Sequence, residues 1–452
     1  MTIAIRTPTW TRLDPVLIAI VLASLALKWA LAVWAESLVP RADEHQYAVM
    51  AERTAELGRV PGVFRPPGYP AFLGAVVAHG GDLGTARRIQ ALLSALTPLF
   101  VYSLSAALGG RALARLASGL VAFDPVLVGF SHLLWSETLY LFLFLAGLAL
   151  WIRGFAPLRP WRWLGAGALF GAAAYARPQL LTFVPFLLAA AAWRARATQT
   201  WRRGALAALA LAVGLGCALL PWSAHQWQRR GELVLVSTNG PYNLLVGTDP
   251  TALFVDKDDH WSSSWGYLAD RRYEQGPALR VAWLRIASRP LLFLRKSLWE
   301  AAHLFTLDSF VLRHLRNGWY GEQARAWLPT AVLATGAFSA LLTALGFIGL
   351  VLMPPSAFRS AAGLALLHAL LLFGATFSLS RFAVPLRPLL AVGAAWLALQ
   401  RGSLDARRIG RGHRLLLAAG LGLLAFSWWS DGPLLWDMLA HGGRHHPFTW
   451  LD

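Results

Sequence analysis

The sequence predicts an all-α polytopic membrane protein. Of its 452 residues, 56% are hydrophobic and only 14% are charged, whereas a soluble domain carries about 25% charged residues. The mean hydropathy is +0.49. The apolar residues also come in blocks long enough to cross a bilayer, because about 20 helical residues span a hydrocarbon core of about 30 Å. A soluble fold of this size is therefore not expected.

About eleven transmembrane helices, within a range of roughly ten to thirteen, follow from these blocks. The first block, Pro15 to Trp34, is interrupted only by Lys28 and has no small-residue cleavage site after it, so it is interpreted as an anchor. The stretch 291–305 is an alternative further span. The predicted spans cover residues 15–34, 88–108, 112–130, 134–152, 162–177, 179–193, 204–222, 328–353, 360–378, 382–400 and 414–430.

Arginines in the short loops set the predicted orientation, because positively charged loops stay in the cytoplasm. Two long polar segments, Ala35 to Arg87 and Ser223 to Trp327, then face the periplasm with surface helices, and residues 431–452 form a periplasmic tail after a transmembrane domain over 1–430. If residues 291–305 crossed the membrane, the predicted orientation of every later helix and loop would be inverted. The arginines are Arg6, Arg12, Arg111, Arg115, Arg153, Arg159, Arg162, Arg194, Arg196, Arg202, Arg203, Arg359, Arg401, Arg407, Arg408, Arg411 and Arg414.

Several classes of partner and cofactor are not expected. The net charge of +18 comes from basic residues scattered between apolar blocks, so it indicates membrane lipids and not nucleic acid as the partner. The single cysteine, Cys217, forms no intramolecular disulfide. The acidic run 256–260 is interpreted as a solvated loop and the histidines of 441–446 as an exposed terminus. No metal site and no cofactor are predicted.

An acidic pair opens a helical pattern in the first long segment. Asp43 and Glu44 precede a stripe formed by Tyr47, Met50, Ala51, Thr54 and Leu57, and Asp43 falls on the same stripe as Tyr47. A carboxylate on the buried side of a surface helix needs a partner or a function. The alternative is a capping box, in which Asp43 caps the helix and Gln46 lies three residues later. Both roles stay open.

A stiff basic segment follows. Arg65 precedes Pro66, Pro67 and Gly68, and the two prolines fix an extended turn. A firmly held guanidinium near the bilayer surface offers paired donors to a phosphate. The alternative is an arginine that extends to lipid head groups.

This arrangement resembles the GT-C superfamily of integral membrane glycosyltransferases, in particular glycosyltransferase family 39 and the aminoarabinose transferases. The resemblance implies that Asp43 and Glu44 are the acidic catalytic motif, with Asp43 as the base. It also implies that Arg65 and Arg177 bind the donor phosphate. Substrate-binding residues implied by the resemblance are Tyr69, Glu137, Tyr140, Asn243 and Arg381. For Glu137 and Arg177, a mutual ion pair is the alternative.

The resemblance implies an inverting glycosyltransferase of a bacterial inner membrane. It would transfer a hexose or pentose from a polyprenyl-phosphate-linked donor to a periplasmic acceptor, which is a lipid, glycan or protein. Asp43 would take the acceptor's proton and Arg65 would stabilise the departing phosphate. The alternatives are a polymerase or ligase of lipid-linked glycans, and a transporter of them.

Overall fold

The computed structural model describes residues 14–155, 159–197, 201–249, 275–400 and 410–442. The acidic run 256–260, the arginine-rich loop 401–409 and most of the C-terminal histidine segment lie outside the described residues. Helices form almost all of the described chain. They are α1 Pro15–Trp34, α2 Asp43–Leu57, α3 Gly68–Ala78, α4 Leu83–Ala122, α5 Pro125–Phe130, α6 Ser136–Arg153, α7 Pro160–Ala176, α8 Gln179–Ala197, α9 Trp201–Arg230, α10 Asn239–Gly247, α11 Gln275–Ser288, α12 Pro290–His303, α13 Phe310–Arg316, α14 Glu322–Arg325, α15 Leu328–Leu352, α16 Ala357–Ala375, α17 Arg387–Leu399 and α18 Arg411–Ala440.

The expected polytopic membrane fold is confirmed. In the described part of the chain, eight helical segments are long and apolar enough to cross a membrane. One of them, α4, folds back on itself at Gly109 and Gly110, whose backbone angles are not helical. The Ser118 hydroxyl donates to the Pro98 carbonyl at 3.0 Å, whereas residues 20 apart on a straight helix would be separated by about 30 Å. The two halves therefore correspond to two of the predicted spans.

Several predicted boundaries differ from the structure; α9, for example, continues to Arg230, past the predicted end of its span at residue 222. The span predicted over 112–130 ends at Ala122, because Asp124 caps the separate short helix α5 by accepting from the backbone N–H groups of Val126 and Leu127. At the other end of the chain, α18 continues to Ala440. Residues 431–440, assigned to the tail from the sequence, thus form its last turns, and Asp431 accepts hydrogen bonds from residues 306 and 307.

The stretch 291–305 contains one short helix, α12. It has 14 residues, hence a length of about 21 Å, which is less than the thickness of a bilayer core. α12 and the preceding α11 expose several leucines to the surroundings, and exposed arginines such as Arg280 and Arg295 lie on the same helices. This pattern is typical of helices that lie at a membrane surface.

Close helix crossings are built on glycine. A Cβ atom added to Gly167 on α7 would lie 2.1 Å from the Leu211 carbonyl oxygen of α9. A Cβ atom on Gly349 of α15 would lie 2.0 Å from the Gly393 carbonyl oxygen of α17. Because only glycine permits such backbone contact, these two pairs pack as tightly as membrane helices with small residues at their interface.

The two ends of the helix bundle differ in chemistry. Glu137 lies in the first turn of α6 and Arg153 ends it, and the Arg153 carbonyl accepts a hydrogen bond from the Arg162 side chain at the start of α7. The connection between α6 and α7 at that end carries Arg153, Arg159 and Arg162. At the Glu137 end, Glu137 pairs with Arg177 at the end of α7, and Arg381 of the segment that precedes α17 contacts both Glu137 and Asp43 of the long segment between α1 and α4. Charged residues distant in sequence therefore converge at one end.

Candidate active site

Asp43 is the first residue of α2 and does not cap the helix. The cap position is Ala42, and no side chain caps the helix there. Ala42 has φ of 49°, the one positive φ of a non-glycine residue in the described ranges, and such backbone strain is typical of functional sites. The capping-box alternative is therefore wrong. The Asp43 carboxylate instead accepts from Arg65 Nη2 at 3.0 Å and from Arg381 Nη1 at 2.6 Å.

The buried stripe of α2 is rotated from the predicted one. It runs through Glu44, Tyr47 and Ala51, while Leu57 is 51% exposed. The side chain of Asp43 keeps 21% of its surface exposed. The predicted placement of Asp43 and Leu57 on the buried stripe is therefore wrong, because the buried face of α2 turns Glu44 toward Arg87 of α4 and Thr54 toward Gly74 of α3.

Glu44 is buried among partners that hold the fold together. Its Oε1 accepts from the backbone N–H of Leu134 at 2.8 Å and from Arg87 Nη2 at 3.3 Å. Burial raises the pKa of the Glu44 carboxyl although Arg87 opposes the shift. Glu44 thus ties the 131–135 connection to α2, and the structure does not bring it to the arginines around Asp43.

Arg65 faces Asp43. Its Nη2 also donates to the Gln46 side chain, and its guanidinium lies 5.1 Å from the Tyr47 ring centroid. The segment before it is fixed by α10, because the Thr238 N–H donates to the Val63 carbonyl at 2.9 Å. Arg65 is therefore held in place and turned inward, and does not extend along the surface.

Arg381 joins the two carboxylates. Besides Asp43, its guanidinium contacts Glu137, with Nε 3.8 Å from Oε1. Glu137 also forms an ion pair with Arg177, which is the pairing that the sequence left open. Asp43, Arg65, Glu137, Arg177 and Arg381 are named the charge cluster below. It has an excess of one positive charge and a partly exposed opening at Asp43 and Arg65.

Aromatic rings hold the Arg381 guanidinium from the sides. It lies 4.9 Å from the Trp135 ring, 5.4 Å from Phe310 and 5.5 Å from Phe382. Such faces attract a cation and limit its hydration. The rings therefore hold the Arg381 guanidinium beside Asp43 and Glu137.

Two residues missed from the sequence fix the chain just before Arg381. Lys296 Nζ donates to the carbonyls of Gly374 at 3.1 Å and Ala375 at 3.3 Å, and also to that of residue 376. Glu300 Oε2 accepts from the Ser378 N–H at 2.7 Å. Both side chains are buried on α12. One feature of the sequence could have drawn attention to Lys296, because it is one of only three lysines in the chain.

The remaining predicted site residues lie around this cluster. Tyr69 is fully buried and its hydroxyl donates to Gln90 at 2.8 Å. Tyr140 is buried one turn after Glu137 on α6. Asn243 is half-buried on α10, next to a tyrosine that packs against Phe64. In the ranges that the structure describes, no group of three or more His, Cys, Asp or Glu side chains is placed to hold a metal ion.

Comparison by sequence gives one family. Residues 65–222 match the family described as dolichyl-phosphate-mannose-protein mannosyltransferase. The matched region begins at Arg65 and includes Glu137 and Arg177 of the charge cluster. No curated protein matches the sequence.

Comparison by structure gives membrane glycosyltransferases. The archaeal oligosaccharyltransferase AglB from Archaeoglobus fulgidus, in complex with an inhibitory peptide and a dolichol-phosphate, has a TM-score of 0.50 at 17% identity over 95% of this chain and 55% of its own. The Archaeoglobus fulgidus oligosaccharyltransferase with zinc and sulfate gives 0.52 at 18% over 95% and 53%. ArnT from Cupriavidus metallidurans, bound to undecaprenyl phosphate, gives 0.49 at 18% over 92% and 64%. The chain spans about half the length of the oligosaccharyltransferases and shares the fold of their matched part.

Proposed function

We propose that this chain, whose fold is that of the GT-C superfamily, is an inverting glycosyltransferase that moves a sugar from a polyprenyl-phosphate donor to a periplasmic acceptor. The observation that carries the proposal is the Asp43 carboxylate held between Arg65 and Arg381 at a partly exposed opening. A carboxylate can take a proton from a hydroxyl, and two guanidinium groups can bind a phosphate. Both groups are needed for this reaction.

The nature of the donor is supported by charge and by the comparisons. A sugar phosphodiester carries one negative charge, which the excess positive charge of the cluster complements. The matched family is named for a dolichyl-phosphate sugar donor, and one solved neighbour binds a dolichol-phosphate. The apolar chain of such a donor would lie in the bilayer beside the opening.

Donor binding would activate the base. In the free protein, burial raises the pKa of Asp43, but Arg381 and Arg65 outweigh burial and hold it far below its usual range. Asp43 is then a weak base. A donor phosphate competes with Asp43 for Arg65 and Arg381, so its arrival weakens both ion pairs. The pKa of Asp43 then rises toward its ordinary value, and the carboxylate becomes able to accept a proton.

The transfer step is a single displacement. The acceptor oxygen attacks the anomeric carbon, its proton passes to an Asp43 carboxylate oxygen, and the bond from the anomeric carbon to the phosphate oxygen breaks. The electron pair leaves with the polyprenyl phosphate, whose charge Arg65 and Arg381 stabilise. Attack from the face opposite the leaving group inverts the configuration. Glu137 and Arg177 keep Arg381 in place from the far side.

The test separates an enzyme from a transporter of the same lipid. Lipids and glycans of a strain that lacks the protein are compared with wild type by mass spectrometry to find the accumulated donor. The purified full chain is then given that lipid and the glycan that loses its sugar. Release of free polyprenyl phosphate by wild type but not by Asp43→Asn supports transfer. Movement of intact donor across vesicles by both proteins, without carrier release, would establish a transporter.

A further inference from the structure

A second basic cavity lies apart from the charge cluster, between the end of α10, α11 and the start of α12. Its volume is about 230 Å³. Arg285 and Arg289 line it together with the apolar side chains of Ile286, Leu292 and Phe293. The cavity therefore combines two cations with an apolar wall.

Its hydrogen-bond donors are the two guanidinium groups. Arg289 is exposed and has no ion-pair partner among the residues the structure describes. Arg285 donates to the Leu245 carbonyl at 3.2 Å and lies 3.8 Å from a carboxylate oxygen of Asp249, a contact too long for a hydrogen bond. The hydroxyl of Ser288 donates to the Arg285 carbonyl. Two arginines line the cavity and Asp249 is the one carboxylate paired with them in the described residues, so the cavity carries an excess of positive charge and fits an anion.

The position of the cavity points to a lipid. Leu291 is 80% exposed, and Leu284 and Leu294 are exposed on the same helix pair. In a membrane protein, such leucines contact acyl chains, while arginines on the same short helices lie at the level of the phosphates. A phospholipid there places its phosphate against Arg285 and Arg289, with acyl chains along Leu292 and Phe293.

We propose that this cavity binds the phosphate head group of an anionic phospholipid. The site is separate from the proposed donor site. On α10, Tyr242 packs against Phe64 beside Arg65, and the cavity begins at Thr248, six residues and about 9 Å further along the chain. The inference does not rest on the proposed function.

The test measures lipid retention on the purified full chain. The protein is placed in nanodiscs of phosphatidylcholine with a minor fraction of phosphatidylglycerol, and bound phosphatidylglycerol is quantified by native mass spectrometry. Arg289→Gln should weaken retention roughly ten-fold, as expected for loss of a charge-assisted hydrogen bond. The matched control is Arg280→Gln, an exposed arginine of α11 that does not line the cavity; it should retain the lipid as wild type does.

Three results would overturn the proposal. Equal loss in Arg280→Gln and Arg289→Gln would mean that surface charge alone attracts the lipid. Unchanged retention of phosphatidylglycerol by both Arg289→Gln and Arg285→Gln would exclude the cavity as the lipid-binding site. Displacement of the lipid by inorganic phosphate would assign the cavity to a free phosphate.

Discussion

Arg381 Nη1 donates to Asp43 Oδ2 at 2.6 Å, which joins two residues 338 positions apart in the chain. The same Asp43 carboxylate is bound by Arg65. The candidate base is thus bound in the free protein by the two cations that are proposed to bind the donor phosphate. This competition makes the proposed mechanism testable.

Asp43→Asn should have opposite effects on transfer and on donor binding. Asparagine does not accept the acceptor's proton, so turnover should fall about 10²- to 10⁴-fold. Donor affinity should rise, because Arg65 and Arg381 no longer pair with a carboxylate. Both are measured on the purified protein by carrier release and by donor titration. Loss of turnover together with weaker donor binding would contradict the competition.

The pH dependence of transfer should differ between the free protein and the donor complex. Arg381 and Arg65 hold the pKa of Asp43 far below its usual range, so Asp43 stays ionised as the pH falls, and the acid limb of kcat/KM lies at very low pH. In the complex the phosphate weakens these ion pairs and the pKa rises. The acid limb of kcat should therefore lie at higher pH than that of kcat/KM. If the acid limbs of kcat and kcat/KM lay at the same pH, activation of Asp43 by the donor would be excluded.

Glu44→Gln should reduce stability and not catalysis. Glu44 is buried with Arg87, and removal of one partner of a buried ion pair costs roughly 3 to 5 kcal/mol. Thermal unfolding of the purified protein should therefore begin at a lower temperature, with turnover per folded molecule close to wild type. Strongly reduced turnover at an unchanged unfolding temperature would instead indicate that Glu44 has a catalytic role.

Lys296→Met should lower kcat by fixing Arg381 less well. The ammonium group of Lys296 binds the carbonyls that precede Arg381, and a displacement of about 1 Å at a site can reduce the rate roughly 10²-fold. Lys296→Arg keeps the charge and the donors and should restore most of the rate. The matched control is Arg295→Gln, on the exposed side of α12. If the kcat of Lys296→Arg were no higher than that of Lys296→Met, a positioning role for Lys296 would be contradicted.

Single cysteines should report the orientation in the membrane. Cys217 is exposed and is first replaced by alanine. Because the arginine loops are predicted to be cytoplasmic, His79→Cys should react in intact cells with a reagent that does not cross the membrane, and Thr198→Cys should not. Labelling at position 198 from outside would overturn the orientation.

The helical pattern located the acidic motif but not the direction of its side chains. Successive residues on a helix point about 100° apart, so an error of one residue in the predicted stripe exchanges the environments of Asp43 and Glu44. Tyr47, Ala51 and Thr54 of the predicted stripe are buried, but Glu44 joins them in place of Asp43. In the structure Asp43 faces the charge cluster because Glu44 takes the buried position against Arg87.

The sequence by itself determined the membrane fold, the presence of two separate spans on either side of Gly109 and Gly110, and Arg65 on its proline-stiffened turn. These features depend on hydrophobic length and on local backbone preference, which a short stretch of sequence contains. Only the tertiary structure decided that Arg381 bridges Asp43 and Glu137 and that Lys296 and Glu300 hold the segment before it. Such contacts depend on how distant helices rotate and pack against one another, and in hydrocarbon the buried charges must find each other wherever they lie in the chain.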